Sequence, residues 1–581
     1  MAHRRWARFF SVLLALVLWL SLGLVLPVVM SLYSTDGSSD AVEAAPGEAF
    51  TLTQRVVLFA NPAIVLERGT VAFVDAAGKP LQPPETGERA PQQLSQSIKL
   101  YNAALSVGAF PNETTAGTLS QPGFPPSPFM ATLAAGQYEQ LSLRRSNVTL
   151  HHILGGPVTL TDVNADVSLR RRGLVTVKGT GQLRGRRVAF DTTTGAAQAD
   201  VRGKHLHRIP IKLALKSQDL HLAVDGRLFS GPNELELQGQ TEATIPSGRA
   251  LARWFGAYWT SGPGLRDLSI RGQLKLSRGA IAVDNAAAGI DGNEGTGVLG
   301  LSLRGPRPSL TGTLAFKAFD TEPYLSAVVP YAPRGFNWSS LAAGALTVPL
   351  GMHMDADLRI SADRVLVGKL ELGRLATTIA LKDGKLLADI ADMRFTGGEG
   401  GGQLTADFTG FIPKVGVRGK LESVDLGLLG GTLGAGQLLQ GKAAAVVDLN
   451  GYGSTLHEVA RALSGKLTIR SQSAGRIGVD LRTLGGPTDT GGVIGWAEAA
   501  RNTMPYDSLD LRLILRDGTI LTETAEARSG DAAWNAVGVV NLTADRIDLR
   551  LSRAGVGAGP ATLSPQKVIE IHGPLREPRL K

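Results

Sequence analysis

The feature that most constrains this chain is an internal repeat. Sliding the sequence against itself by 105 residues lays "GAIAVDNAAAGIDGNEGTGVLGLSLRGPRPSL" (residues 279–310) on "GKLLADIADMRFTGGEGGGQLTADFTGFIPKV" (residues 384–415) without a gap. Gly279 meets Gly384, Glu294 meets Glu399, Gly295 meets Gly400, Gly297 meets Gly402, Gly305 meets Gly410 and Pro308 meets Pro413. Farther on, Asp320 meets Asp425, and a third, weaker copy begins at Gly518 in "DGTILTETAEARSGDAAWNAVGVVNL". The closing "HGPLREPRL" again sets Gly573 shortly before a proline and a leucine. Repeats of fixed period build stacked architectures in which each unit buries its face against its neighbours. A long β-sheet is therefore expected, rather than the several globules that 581 residues would otherwise suggest.

Strand patterning recurs along the chain. "IPIKLALK" (209–216), "DLRISAD" (357–363), "SLDLRL" (508–513) and "RIDLRLS" (546–552) each alternate apolar with polar residues, as strands with one dry and one wet face do. The 71 glycines supply turns, and with only 6% aromatic residues the apolar character rests on Leu, Val, Ile and Ala. Helical patterning is confined to the N-terminal apolar run, residues 247–259, a stretch near 492–501 and residues 455–464. In the last, Leu456, Val459, Ala460 and Leu463 form one apolar stripe, Thr455 and Glu458 a capping box, and Gly465 a C-terminal stop. A helix of this kind serves to cover an exposed sheet edge or the end of an apolar trough.

At the N-terminus Arg4, Arg5 and Arg8 precede an uncharged apolar run over residues 9–35. The run is long enough to span a bilayer and longer than a signal peptide's apolar core. It predicts an uncleaved transmembrane anchor, with residues 1–8 as a cytoplasmic basic tip and the rest of the chain across the membrane. Setting those three arginines aside takes the formal charge from +9 to +6. That charge is too scattered and too poor in aromatics for a nucleic-acid surface. The absence of cysteine excludes disulfides, thiolate metal sites and cysteine nucleophiles.

Motifs for chemistry fail on inspection. "GQLLQGKA" (436–443) has the spacing of a phosphate-binding loop, but Ala443 replaces the Ser or Thr that holds magnesium, and a strand pattern follows where a helix is required. "GYGSTL" (451–456) lacks the third glycine of a dinucleotide fingerprint. His205, His207 and His221 are the one local histidine cluster and fall short of a zinc ligand set. No catalytic residue, metal site, nucleotide or other cofactor is expected.

The succession of apolar strand, "DG", strand, glycine-rich turn, strand, "G-x-x-P", strand and then an Asp-Leu step, as in "VDLGLLG" (424–430), resembles the AsmA family of bacterial envelope proteins. "LNGYGSTLHEVARALSGKLTIRSQSAGRIGVDLRTL" (449–484) is similar to that family's C-terminal signature, with a short helix, a strand, a glycine turn and an Ile-Gly-x-Asp-Leu step; "NTMPYDSLDLRLILRDGTI" (502–520) follows suit. The resemblance covers residues 268–581; residues 36–267 are β-rich with no matching motif.

The resemblance implies a mainly β fold: an elongated, curled, groove-like antiparallel sheet with a few short helices and one N-terminal transmembrane helix. It implies an inner-membrane-anchored periplasmic protein that supports outer-membrane biogenesis by guiding phospholipid along an apolar groove. Its partners would be membrane lipids, the inner membrane itself and other envelope proteins. The residues expected to line the groove are Leu358, Ile360, Leu509, Leu511, Leu513, Ile547, Leu549 and Leu551. The alternatives are an assembly factor that acts on outer-membrane proteins through exposed strand edges without carrying lipid, and a hydrolase.

Overall fold

The computed structural model describes residues 50–52, 56–60, 63–74, 97–108, 140–150, 158–170, 174–196, 198–199, 207–230, 235–254, 264–277, 279–325, 354–367, 370–395, 397–428, 438–487, 494–541, 544, 546–555, 568–574 and 578–580. The described chain is mainly β, built of hairpin-connected strands with a few short helices. It divides into two units, one of Met1–Trp259, Leu265–Gly292 and Gly297–Ser309, the other of Thr260–Gly264, Asn293–Thr296 and Leu310–Lys581.

The repeat is literal in the backbone. Strands Ala280–Ile290, Asn293–Ser302 and Ser309–Asp320 recur, 105 residues on, as Lys385–Phe395, Gly398–Asp407 and Lys414–Asp425. The third copy begins the same way, with Thr519–Ser529 and Ala532–Asn541. The Asp383-Gly384 and Asp517-Gly518 turns have positive φ at both residues, 50° and 79° in one and 47° and 72° in the other. That turn twists with the strands it joins, and it explains the glycine at the head of each copy. Leu303 N–H donates to the Gly279 carbonyl at 2.8 Å, and Phe408 N–H to Gly384 at 3.0 Å. The conserved spacing of Asp320 and Asp425 has a local cause as well. The Asp320 carboxylate accepts from Glu322 N–H at 2.9 Å and that of Asp425 from Leu428 N–H at 3.0 Å, each capping a short helical turn.

In the first unit, registers carry one apolar row across successive strands from Ser97–Gly108 to Ala280–Ile290. It runs Leu100, Leu143, Ala165, Gly179, Phe190, Leu215, Leu222, Ala243, Ile270, Ala288. The helix Gly248–Trp254 buries Leu251, Ala252 and Trp254, and the Trp254 indole N–H donates to the Leu183 carbonyl at 2.8 Å. The opposite face carries cross-strand ion pairs, among them Lys178–Asp191 and Lys212–Asp225, both at 2.9 Å. Such exposed pairs keep a face wet and contribute little stability.

Three expectations are corrected. The sheet is not wholly antiparallel: Ser97–Gly108 and Gln140–Leu150 pair in parallel, which the 31 residues between them, 109–139, are long enough to permit. The helix expected over residues 455–464 spans Leu456–Arg461. Gly465 does not stop it; Gly465 lies in the strand Ser464–Ser471 opposite Leu449, where a Cβ would sit 2.0 Å from the Asp448 carbonyl oxygen. Among the described residues no helix is long and apolar enough to cross a membrane; the anchor predicted over residues 9–35 and its flanking Arg4, Arg5 and Arg8 lie outside the described residues.

Candidate functional site

In the second unit the alternation of each strand is brought into line by the registers. One row runs Leu358, Ile379, Ala388, Leu404, Val417, Leu449, Gly465, Leu515, Ile520, Val540, Ile547, one residue from each of eleven consecutive paired strands. A second runs Ile360, Thr377, Ile390, Gly402, Gly419, Val447, Leu467, Leu513. A third runs Leu375, Met393, Gly400, Leu421, Ala445, Ile469, Leu511. With strands about 4.8 Å apart, the first row is on the order of 48 Å long. The other face carries Arg418, Asp448 and Arg550, with Arg418 bound to Asp448 at 3.1 Å and Arg550 to Glu570 at 3.0 Å.

Two elements bound the apolar face along the strand direction. At one end sits a small sheet of Leu439–Gln440, Gly475–Ile477 and Met504–Tyr506, together with the helix Trp496–Ala499. Val479, Leu481, Leu484, Met504 and Tyr506 from this lobe join Leu509, Ala527, Trp534, Leu551 and Ile569 in one buried cluster. Burial pushes the Tyr506 phenol pKa up, and its hydroxyl donates to the Gln440 carbonyl at 2.8 Å. Asp480 lies in the same lobe. It accepts from the Arg482 backbone N–H and, in a two-pronged pair at 2.8 Å each, from the Arg482 guanidinium, and this holds its carboxyl below the usual range.

At the other end the helix Leu456–Arg461 rests on the strand Lys442–Tyr452. Gly451 leaves room for Val459, whose Cγ1 would stand 3.0 Å from a Cβ there. Thr455 Oγ1 accepts from Glu458 N–H at 3.1 Å, and the Glu458 carboxylate accepts from Ser454 N–H at 2.7 Å, so the return bond of the cap goes one residue upstream of Thr455. Beside the helix, a cleft of about 570 Å³ is lined by Leu386, Ala406, Val415, Tyr452 and Ala462.

All eight residues chosen from sequence lie on this one face. Leu509, Ile547 and Leu551 are in the buried cluster, with Leu511 and Leu549 packed at its rim. Leu358, Ile360 and Leu513 lie in the half-buried middle. Sequence reading missed Leu404 and Val417, the most exposed members of the row at 37% and 39%. They stand two residues from Gly402 and Gly419, which face each other across neighbouring strands; the repeat glycines were the available signal.

The histidines do not gather. His207 and His221 sit at opposite ends of one hairpin, paired with Ser230 and Lys216, and His205 lies outside the described residues. Among the described residues no group of three or more His, Asp or Glu could hold a metal ion. The strand Lys442–Tyr452 begins where a phosphate-binding loop would need its helix. No family model, no curated protein and no solved structure matches this chain.

Proposed function

We propose that the chain is an AsmA-like envelope protein whose second unit guides phospholipid acyl chains along its apolar face. The observation that carries this reading is the eleven-strand row through Leu404 and Val417, which is continuous, apolar and incompletely covered. An exposed methylene costs about 0.8 kcal/mol in water, so an acyl chain of about 16 carbons carried bare would cost on the order of 13 kcal/mol. A row of Leu, Ile and Val side chains removes most of that barrier, and it does so without holding the lipid at any single point.

The membrane anchor over residues 9–35, the periplasmic location and a sheet curled into a groove belong to the same proposal.

The test is lipid extraction and native mass spectrometry of the full chain purified from a bacterial membrane fraction. Co-purified phospholipid is expected, and its loss in Leu404→Asp/Val417→Asp with unchanged circular dichroism and melting temperature. A lipid-free wild type would overturn the proposal and leave an assembly factor acting through strand edges as the reading to pursue.

A further inference from the structure

Of the residues that the registers place on the apolar face of the second unit, Arg553 alone carries a charge. The row Leu509, Ala527, Trp534, Arg553 puts it there directly, and within its own strand it continues the alternation Ile547, Leu549, Leu551. Arg553 is exposed, and among the described residues no carboxylate pairs with it. Its guanidinium carbon stands 5.7 Å from the centroid of the Trp534 ring, a stacking that fixes the charge at the edge of the face. Trp534 is only 3% exposed, yet its indole Nε1 is buried without an acceptor. A buried donor left unpaired is costly, and tryptophan N–H groups in cores usually find a partner. Here a buried donor and an unpaired cation adjoin at one corner of an otherwise apolar surface.

We propose that Arg553 and Trp534 form the head end of a binding site for an anionic amphiphile. The anionic oxygen is held by the Arg553 guanidinium and a further oxygen of the head or its ester by the Trp534 indole N–H. The tail leads from there toward the half-buried Leu549, Leu511 and Leu513 of the open middle. This rests on the acyl-chain reading above and adds what that reading lacks, a point at which one lipid class is selected. A guanidinium recognises carboxylate and phosphate alike, so the head is either a fatty-acid carboxylate or a phospholipid phosphate.

The experiment titrates the delipidated full chain, in mild detergent, with oleate, dioleoylphosphatidylglycerol, dioleoylglycerol and inorganic phosphate, and reads occupancy by native mass spectrometry. The wild type is expected to take oleate or phosphatidylglycerol at least about tenfold more tightly than dioleoylglycerol, and the tighter of the two names the head. Arg553→Gln should abolish that preference while leaving dioleoylglycerol binding unchanged, and Arg553→Lys should restore part of it. Trp534→Phe, which keeps an aromatic ring under Arg553 but removes the N–H together with part of the indole, should weaken the anionic lipid a few-fold. Equal affinity for charged and neutral lipid in the wild type overturns the head site and leaves the acyl-chain reading standing. Binding of no lipid overturns both, and saturation by inorganic phosphate alone replaces the amphiphile with a simple anion site.

Discussion

The two apolar rows of this protein are built alike and end differently. In the first unit Leu143 and Leu215 are both 0% exposed and Phe190 is nearly so; in the second, Leu404 and Val417 keep more than a third of their surface. Strand length, antiparallel register and in-out alternation are the same in kind in both, so the pattern that makes a β-sheet does not decide whether its dry face is closed. What packs against each face differs. In the first unit the helix Gly248–Trp254 buries three side chains and ties Trp254 to the Leu183 carbonyl. The second has its lobe over one end of the strands and its short helix at the other, and the middle rows lie between them.

The sharpest way to break this comparison is to truncate one leucine in each row. Leu143→Ala should cost about 2 to 5 kcal/mol, the range for a fully buried leucine, whereas Leu404→Ala should cost less than about 1 kcal/mol. Urea unfolding followed by circular dichroism measures both, and equal costs would mean that Leu404 is as covered in solution as Leu143. Next in size comes Gly402→Ala. A Cβ there would lie 2.2 Å from the Arg418 carbonyl oxygen, so the paired strands must part, at roughly 1 to 3 kcal/mol. An unchanged melting temperature would show that the glycine run has slack and that close strand approach is not what it serves.

How much of this was legible beforehand follows the same division. The alternation of "SLDLRL" and "RIDLRLS" put Leu509 to Leu513 and Ile547 to Leu551 on one face, because a strand has a period of two whatever it packs against. The Asp-Gly turns and the cap of Thr455 were legible because each is a contact over a few residues. Coverage was not, since Leu509 is buried by Tyr506 and Val479 from a separate lobe while Leu358, in an identical pattern, is not. The parallel pairing of Gln140–Leu150 escaped for the same reason: partner choice across a long connection leaves no mark in either strand. Arg553 was visible as a charge on an apolar beat, but its meaning needs Trp534, which lies in the neighbouring strand.

Two smaller effects probe the covers themselves. Trp254→Phe keeps an aromatic ring in the first unit but removes the bond to Leu183 and part of the indole's volume, at about 1 to 3 kcal/mol, because the carbonyl is left buried and the smaller ring leaves a void. Hydrogen exchange should rise across the unit, as expected where the cover and the core are one cooperative structure. Thr455→Ala should cost about 1 kcal/mol and raise exchange only in residues 455–463. A unit-wide rise from Thr455→Ala would show that this helix is integral to the sheet rather than a local closure of its end.

The smallest effect is a test by acid. Asp480 is 5% exposed and its pKa is lowered by the paired guanidinium of Arg482. A carboxyl whose folded pKa lies below its unfolded value of about 3.9 contributes stability in full above that value, and loses it as pH falls through the folded pKa. The residues that depend on it directly are local: Arg482 through the pair, and Val479 and Leu481, which flank Asp480 and enter the buried cluster. Hydrogen exchange as a function of pH below about 4, corrected for intrinsic rates, should therefore show protection lost first at residues 479–484 while Leu358 to Ile360 stay unchanged. Asp480→Asn should remove that pH dependence and lower protection in the lobe at neutral pH. If acid instead loosens the whole unit at once, lobe and sheet are a single cooperative body, and the open middle of the apolar face cannot be ascribed to a cover that stops short of it.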